Sequence, residues 1–201
     1  MEKKKIQRIL SEKKPRLIGI GGIGHSVGCT HFSIMMANYL AGYRRRNTVL
    51  LEWNRSGDFE RLEKVCTGIN RGEKRFCVLD VQYRKDAGIK ELTEVLGNNV
   101  DEILIDFGAV NEELPPELLR CEKQFLVGSF SEWQEMCFRE FVRENENGNR
   151  SWKYLAAFGS EETRREFRRR PGILVGRIPF SADAFSVTTE SCSFFQQLID
   201  G

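Results

Sequence analysis

Residues 17–54, LIGIGGIGHSVGCTHFSIMMANYLAGYRRRNTVLLEWN, decide the fold of this chain of 201 residues. Residues 17–20 form a short apolar run, which is typical of a strand buried on both faces, and residues 48–52 predict a second strand. Between them, a glycine-rich loop at 21–28 precedes a predicted helix at 29–43. Glycine permits positive φ and the N-terminus of a helix attracts anions, so this order predicts a phosphate-binding loop.

The predicted loop matches the P-loop pattern G-x-x-x-x-G-K-[ST] only in part. When the pattern is aligned on Gly28 and Thr30, Ile23 stands at the first glycine position and Cys29 at the lysine position. The lysine of a P-loop neutralises charge on the β and γ phosphates. This loop therefore keeps the backbone layout of a phosphate site but not its charge.

The segments that follow alternate as in an α/β domain. We predict strands at 76–81, 102–106, 124–128, 153–158 and 172–178, and helices at 58–66, 89–96, 131–145 and 189–200. Ser131 is the expected N-cap of its helix, and the terminal helix is expected to pack on the domain rather than on a membrane. The segment EILIDFG (102–108) carries Asp106 at a strand end, and VLLEWNRSG (49–57) carries Glu52.

These segments, together with GRIPFSADAF at 176–185, resemble the MinD/ParA group of deviant P-loop ATPases over about residues 16–200, and within that group the TadZ/CpaE branch. The resemblance implies an α/β, single-domain P-loop NTPase-like fold with a mostly parallel central sheet and helices on both faces. We expect a basic N-terminal arm at 1–16 and the P-loop NTPase-like domain at 17–201. The family's loop carries two lysines, whose places hold Gly24 and Cys29, and Glu52 and Asn54 stand where aspartates are usual.

The resemblance implies a site for ATP and Mg²⁺. Backbone N–H groups of the loop would bind the phosphates, and Thr30 and Asp106 would hold the Mg²⁺ ion directly or through water. The turn within residues 176–185, here called the late turn, would border the adenine. Glu52 could orient a water molecule, and either histidine of the loop region could donate to phosphate. The candidate binding residues are Gly24, His25, Ser26, Val27, Gly28, Cys29, Thr30, His31, Glu52, Asp106, Ile178 and Pro179.

Three functions stay open at this point. Because both lysines are absent, the leading hypothesis is a degenerate MinD/ParA-like scaffold or localisation factor for pilus or secretion machinery, with weak or absent ATP binding and little hydrolysis. One alternative is a true ATP-dependent dimerising switch in which Arg55, or a basic residue of a partner, replaces the lost charge. The other is a partition-type protein that binds DNA non-specifically. If the site has decayed, we expect Ile23 or a neighbour to fill the phosphate cavity.

Composition bears mainly on partners and location. The net charge is +2, and the arginine clusters lie at a helix end or share a helix with glutamates, so DNA is not a favoured partner. Instead we expect a homodimer across the P-loop face and a protein partner in a pilus or secretion assembly. The six cysteines lack C-x-x-C spacing, and Cys77 and Cys137 are expected to be buried thiols. With no apolar leader and no span of membrane length, we expect a cytoplasmic protein.

Overall fold

A computed structural model describes residues 14–69, 72–110, 113–145, 152–168 and 174–201. Most of the predicted basic arm, residues 1–13, lies outside the described residues. The beginning of the strand predicted for 172–178 also lies outside them.

One sheet of eight strands organises the described chain. β1 lies between β5 and β6, and all neighbouring strands are parallel except β3 and β4. The prediction of an α/β fold with a mostly parallel sheet is therefore confirmed. In the order β3-β4-β2-β5-β1-β6-β7-β8, the strands are β1 (Arg16–Gly22), β2 (Thr48–Glu52), β3 (Arg75–Val78), β4 (Val81–Arg84), β5 (Glu102–Ala109), β6 (Lys123–Gly128), β7 (Trp152–Ala156) and β8 (Val175–Arg177).

Helices cover both faces of this sheet. Successive residues of a strand point to opposite sides, so neighbouring apolar residues of one strand pack in two different cores. Leu50 and Leu104 belong to a core that includes residues of α1 and α7, whereas Val49 and Ile103 belong to a second core with residues of α3 and α5. Burying such a side chain contributes roughly 1.5–3 kcal/mol, so both faces stabilise the domain. The described helices are α1 (Cys29–Asn38), α2 (Asp58–Thr67), α3 (Ile89–Leu96), α4 (Pro116–Leu119), α5 (Glu135–Glu144), α6 (Glu161–Arg168) and α7 (Thr189–Asp200).

Helix α1 ends at Asn38 and continues into a π-helical turn, Tyr39–Tyr43, that packs against the terminal helix. The buried ring of Tyr39 stacks on Phe195 of α7, with ring centroids 5.2 Å apart, and the ring centroid of Phe32 lies 5.7 Å from that of Phe195. The predicted packing of α7 on the domain is therefore confirmed. Among the described helices, none is both long and apolar enough to cross a bilayer.

Two predictions of local secondary structure are wrong. The strand predicted at 76–81 is a hairpin, because Leu79 takes a positive φ of 51° and reverses the chain into β4. The helix predicted from Ser131 begins at Glu135, since the Ser131 hydroxyl bonds Ser129 and Gln134 side chains instead of capping the helix.

The thiols are also distributed differently from the prediction. Cys77 and Cys137 are exposed, although both have apolar neighbours in the sequence, because they lie on the outer sides of β3 and α5. Cys29 and Cys121 are the buried thiols among the described cysteines, and all six are free.

Candidate functional site: the loop between β1 and α1

The loop that follows β1 is shaped by three residues in the left-handed region. Gly24, Ser26 and Gly28 have φ values of 110°, 57° and 89°. Gly28 also caps α1, and a Cβ there would lie 3.2 Å from the Cβ of Ala157. Glycine is thus required at position 28 both by conformation and by the close approach of the chain after β7.

The backbone of this loop leaves its donors available. The N–H of Ile23 bonds the Val127 carbonyl (2.8 Å), and the N–H of Phe32 bonds the Gly28 carbonyl (2.9 Å). Between them, no N–H of residues 24–31 donates a hydrogen bond to a described residue. Unpartnered N–H groups at the start of a helix carry a partial positive charge, so this run forms an anion cradle.

The cradle opens on a cavity of about 580 Å³. Its other walls come from the connection after β2 and from the end of β5, which lie at the same edge of the sheet, where ligands of parallel α/β folds bind. Most of these wall residues were missed at the sequence level, although their positions directly after predicted strands are a usable signal. The lining residues are Gly24, His25, Ser26, Val27, Gly28, Cys29, Thr30, His31, Asn54, Arg55, Ser56, Asp58, Phe107, Gly108 and Ala109.

Asp106 lies next to the start of α1 and is fully buried. Its Oδ1 accepts hydrogen bonds from the Cys29 thiol (3.2 Å) and the Gly108 N–H (3.0 Å), whereas its Oδ2 has no hydrogen-bond partner among the described residues. Burial raises the pKa of the Asp106 carboxyl, and the nearby Thr30 hydroxyl, the Gly108 N–H and the Cys29 thiol offset that rise only in part. A buried oxygen without a partner is costly, so the site favours the arrival of a cation or a donor.

Cys29 occupies the lysine position but turns inward. Its thiol donates to Asp106, and burial, followed by the repulsion from that carboxylate, raises the thiol pKa well above its ordinary value. A thiol in this state is neutral and a poor nucleophile. Position 29 therefore supplies no charge to the cavity.

Ile23 does not fill the cavity, which contradicts the expectation for a decayed site. The side chain is buried in the second core, on the side of β1 that faces α5, and it does not line the cavity. Val27 lines the cavity while packing in the first core, beside Gly22. The apolar residues of the loop thus pack in the two cores, and Ile23 leaves the cavity free.

Glu52 does not line the cavity, although it pairs in register with Asp106 of the neighbouring strand β5. It is 2% exposed, and its Oε1 accepts hydrogen bonds from the Ser56 hydroxyl (3.2 Å) and the Phe59 N–H (3.0 Å). Its Oε2 accepts the N–H of Asp86 (3.1 Å). The carboxylate therefore joins the connections after β2 and β4, and all three of its donors belong to these connections and to α2.

The late turn is also separate from the loop. Ile178 and Pro179 line a second cavity, of about 600 Å³, which has no lining residue in common with the first. That cavity lies between β8 and α7. His25 is exposed, and its carbonyl accepts a hydrogen bond from the Gln134 side chain (2.7 Å), whereas His31 is half-buried; both line the loop cavity. Residues 24–31 thus line one cavity, with Asp106 bonded to Cys29, whereas Glu52, Ile178 and Pro179 do not line it.

Several solved structures share the fold of this chain. No protein-family model and no curated protein sequence matches this chain. Among solved structures, a plasmid partition protein (BB_S35) from Borrelia burgdorferi B31 bound to AMPPNP is 15% identical, with 93% of this chain and 98% of that one covered and a TM-score of 0.64. The chain has the fold of the ParA and MinD ATPases.

Two further structures carry the same fold. A ParA family ATPase from Chlorobium tepidum TLS is 14% identical, with 94% of this chain and 92% of that one covered and a TM-score of 0.55. MinD from Pyrococcus horikoshii OT3, complexed with Mg-ADP, is 13% identical, with coverages of 92% and 94% and a TM-score of 0.57. At these identities the likeness concerns the ParA/MinD fold, and the chemistry of this chain follows from its own residues.

Proposed function

We propose that this protein binds a nucleoside triphosphate with Mg²⁺, hydrolyses it slowly if at all, and acts as a MinD/ParA-like scaffold or localisation factor. The observation that carries the proposal is the open cradle: the N–H groups of residues 24–31 have no described acceptor and line an open cavity beside the buried, incompletely bonded Asp106. The ParA- and MinD-type structures with AMPPNP and Mg-ADP support this choice of ligand.

The residues at the cradle fit a magnesium ion. Mg²⁺ prefers oxygen ligands and is commonly held by one or two protein groups together with substrate phosphates and water. Thr30 lines the cavity and lies near the carboxyl of Asp106, whose Oδ2 is the unpartnered oxygen. These two residues would hold the ion directly or through water, and the ion would supply the neutralisation of phosphate charge that the loop lacks.

Slow hydrolysis follows from the groups that the described residues hold at positions 24, 29 and 52. Phosphoryl transfer depends on positioned charge and on a group that orients the attacking water. Position 29 holds a neutral thiol, position 24 holds glycine, and the carboxylate of Glu52 is engaged by three donors elsewhere. The geometry therefore favours binding over turnover.

The assembly in which such a protein acts is proposed from the sequence. The resemblance to the TadZ/CpaE branch favours a pilus or secretion complex in the cytoplasm, with a homodimer formed across the loop face. DNA is a less favoured partner because Arg44, Arg45 and Arg164 are paired with Asp200, Asp80 and Glu161. Paired cations attract phosphate backbones less strongly.

Calorimetry and a melting curve with Mg·AMPPNP and Mg·ATP test the proposal. Ligand at a hundred times its Kd adds about 2.7 kcal/mol, a shift of roughly 5–10 °C for a domain of this size. We expect binding of both nucleotides and little phosphate release. No binding at millimolar nucleotide would refute the nucleotide-binding proposal, and rapid phosphate release would replace it with the switch ATPase. Salt-sensitive retention on DNA would favour the partition-type alternative.

A further inference from the structure

The loop cavity contains a cation that the P-loop pattern does not include. We propose that Arg55, on the wall built by the connection after β2, contacts the terminal phosphates of the nucleotide in place of the missing lysines. This inference rests on the proposed function, since it assigns the source of positive charge for the same ligand.

Few charged side chains surround the cavity. Among the described residues that line it, Arg55 is the sole lysine or arginine. The one carboxylate in the lining, Asp58, is bonded to the guanidinium of Arg61 (2.5 Å), which does not line the cavity. A triphosphate in the cradle would therefore meet one permanent side-chain cation, that of Arg55.

The Arg55 guanidinium is available to a ligand. Its side chain is exposed and makes no hydrogen bond or ion pair with another described residue. Arg44, Arg16 and Arg177, by contrast, each have a carboxylate partner within 3.0 Å. An unpaired guanidinium can bind phosphate through two parallel N–H donors without first losing a protein partner.

The backbone that carries Arg55 is held in place by its two neighbours. The side chain of Asn54 donates to the Asp106 carbonyl (3.0 Å) and accepts the N–H of Ser56 (3.0 Å). The Ser56 hydroxyl in turn donates to Glu52 (3.2 Å). The residues on either side of Arg55 are thus tied to β5 and β2, so the buried carboxylate of Glu52 positions the connection from which Arg55 projects.

The test compares Arg55→Gln, Arg55→Lys and the control Arg45→Gln in calorimetric titrations. Arg45 is an exposed arginine that follows α1, and it does not line the cavity. Each variant is titrated with Mg·AMPPNP and with AMP, which lacks the terminal phosphates. We expect Arg55→Gln to weaken AMPPNP roughly ten- to a hundredfold, as for a lost charge-assisted contact, and to leave AMP unchanged. Arg55→Lys should retain part of the affinity, and Arg45→Gln should match the wild type.

The outcomes separate this inference from the proposed function. If the wild type binds AMPPNP and Arg55→Gln binds it equally well, the role of Arg55 is refuted and nucleotide binding stands. If the wild type does not bind, the proposed function and the inference fail together. An equal loss in Arg45→Gln, or an equal loss for AMP, would also overturn the inference, because the effect would then not be local to the terminal phosphates. Melting temperatures of the variants verify that they are folded.

Discussion

Replacing Cys29 by lysine tests the charge balance of the loop directly. The thiol now points to Asp106, 3.2 Å from Oδ1, yet Cys29 also lines the cavity of about 580 Å³. A lysine at this first position of α1 has open space beside it, because Ile23 packs in the core instead of in the cavity. Its ammonium would lie between the phosphate cradle and a carboxylate that burial destabilises.

The expected gain comes from one charge-assisted contact. Such contacts are worth about 1.5–3 kcal/mol, which is roughly ten- to a hundredfold in Kd for Mg·AMPPNP. The lost thiol hydrogen bond is small beside this gain, and Asp106 offers the new ammonium a partner in the unliganded protein. We therefore expect the melting temperature without nucleotide to change by no more than about 4 °C, which corresponds to roughly 1 kcal/mol for a domain of this length.

Titration calorimetry with Mg·AMPPNP, a melting curve and a phosphate-release assay check the prediction, with Cys29→Gln as the uncharged control. Cys29→Lys should bind more tightly, Cys29→Gln should not, and phosphate release should stay slow because Glu52 remains engaged elsewhere. The reasoning is refuted if Cys29→Lys lowers the melting temperature strongly and does not bind nucleotide. That result would mean that the ammonium is buried without a partner and that the cavity is not a phosphate site.

Three further predictions concern stability and reactivity. Asp106→Asn should raise the unfolding free energy by about 1–3 kcal/mol and weaken Mg²⁺-dependent binding. Because burial raises the folded-state pKa of Asp106, the wild type loses stability as pH rises above the pKa of the unfolded state. The difference in unfolding free energy between Asp106→Asn and the wild type, measured by denaturation, should therefore widen from about pH 4 to about pH 7. A difference that stays constant over this range would contradict the prediction. Timed alkylation followed by mass spectrometry should modify exposed Cys137 before buried Cys29, and the reverse order would show that the loop opens. Phe195→Ala should cost about 3–5 kcal/mol, since the buried ring packs against both Tyr39 and Phe32, and a loss below about 1 kcal/mol in chemical denaturation would show that α7 is loosely packed.

The sequence was sufficient for features that depend on nearest neighbours along the chain. Apolar runs of strand length, separated by helical patterns, predicted the mostly parallel sheet. The glycines at 24 and 28 marked the loop because a left-handed backbone favours glycine whatever surrounds it. The C-terminal helix was predicted with its observed bounds, since its apolar spacing and its N-terminal threonines are local signals.

The tertiary structure decided which side chains reach the site, because a side chain's direction depends on partners distant in sequence. The Cys29 thiol donates to Asp106, 77 residues away in the sequence. Glu52 accepts the N–H of Asp86, and Ile23 packs in a core built largely from other strands and helices. Arg55 differs from these residues, because its side chain makes no such contact. Its neighbours Asn54 and Ser56 bond to β5 and β2, and its own side chain stays exposed at the cavity wall. No periodicity or spacing in the sequence encodes these contacts, since hydrogen bonding and burial are settled only when the strands are side by side.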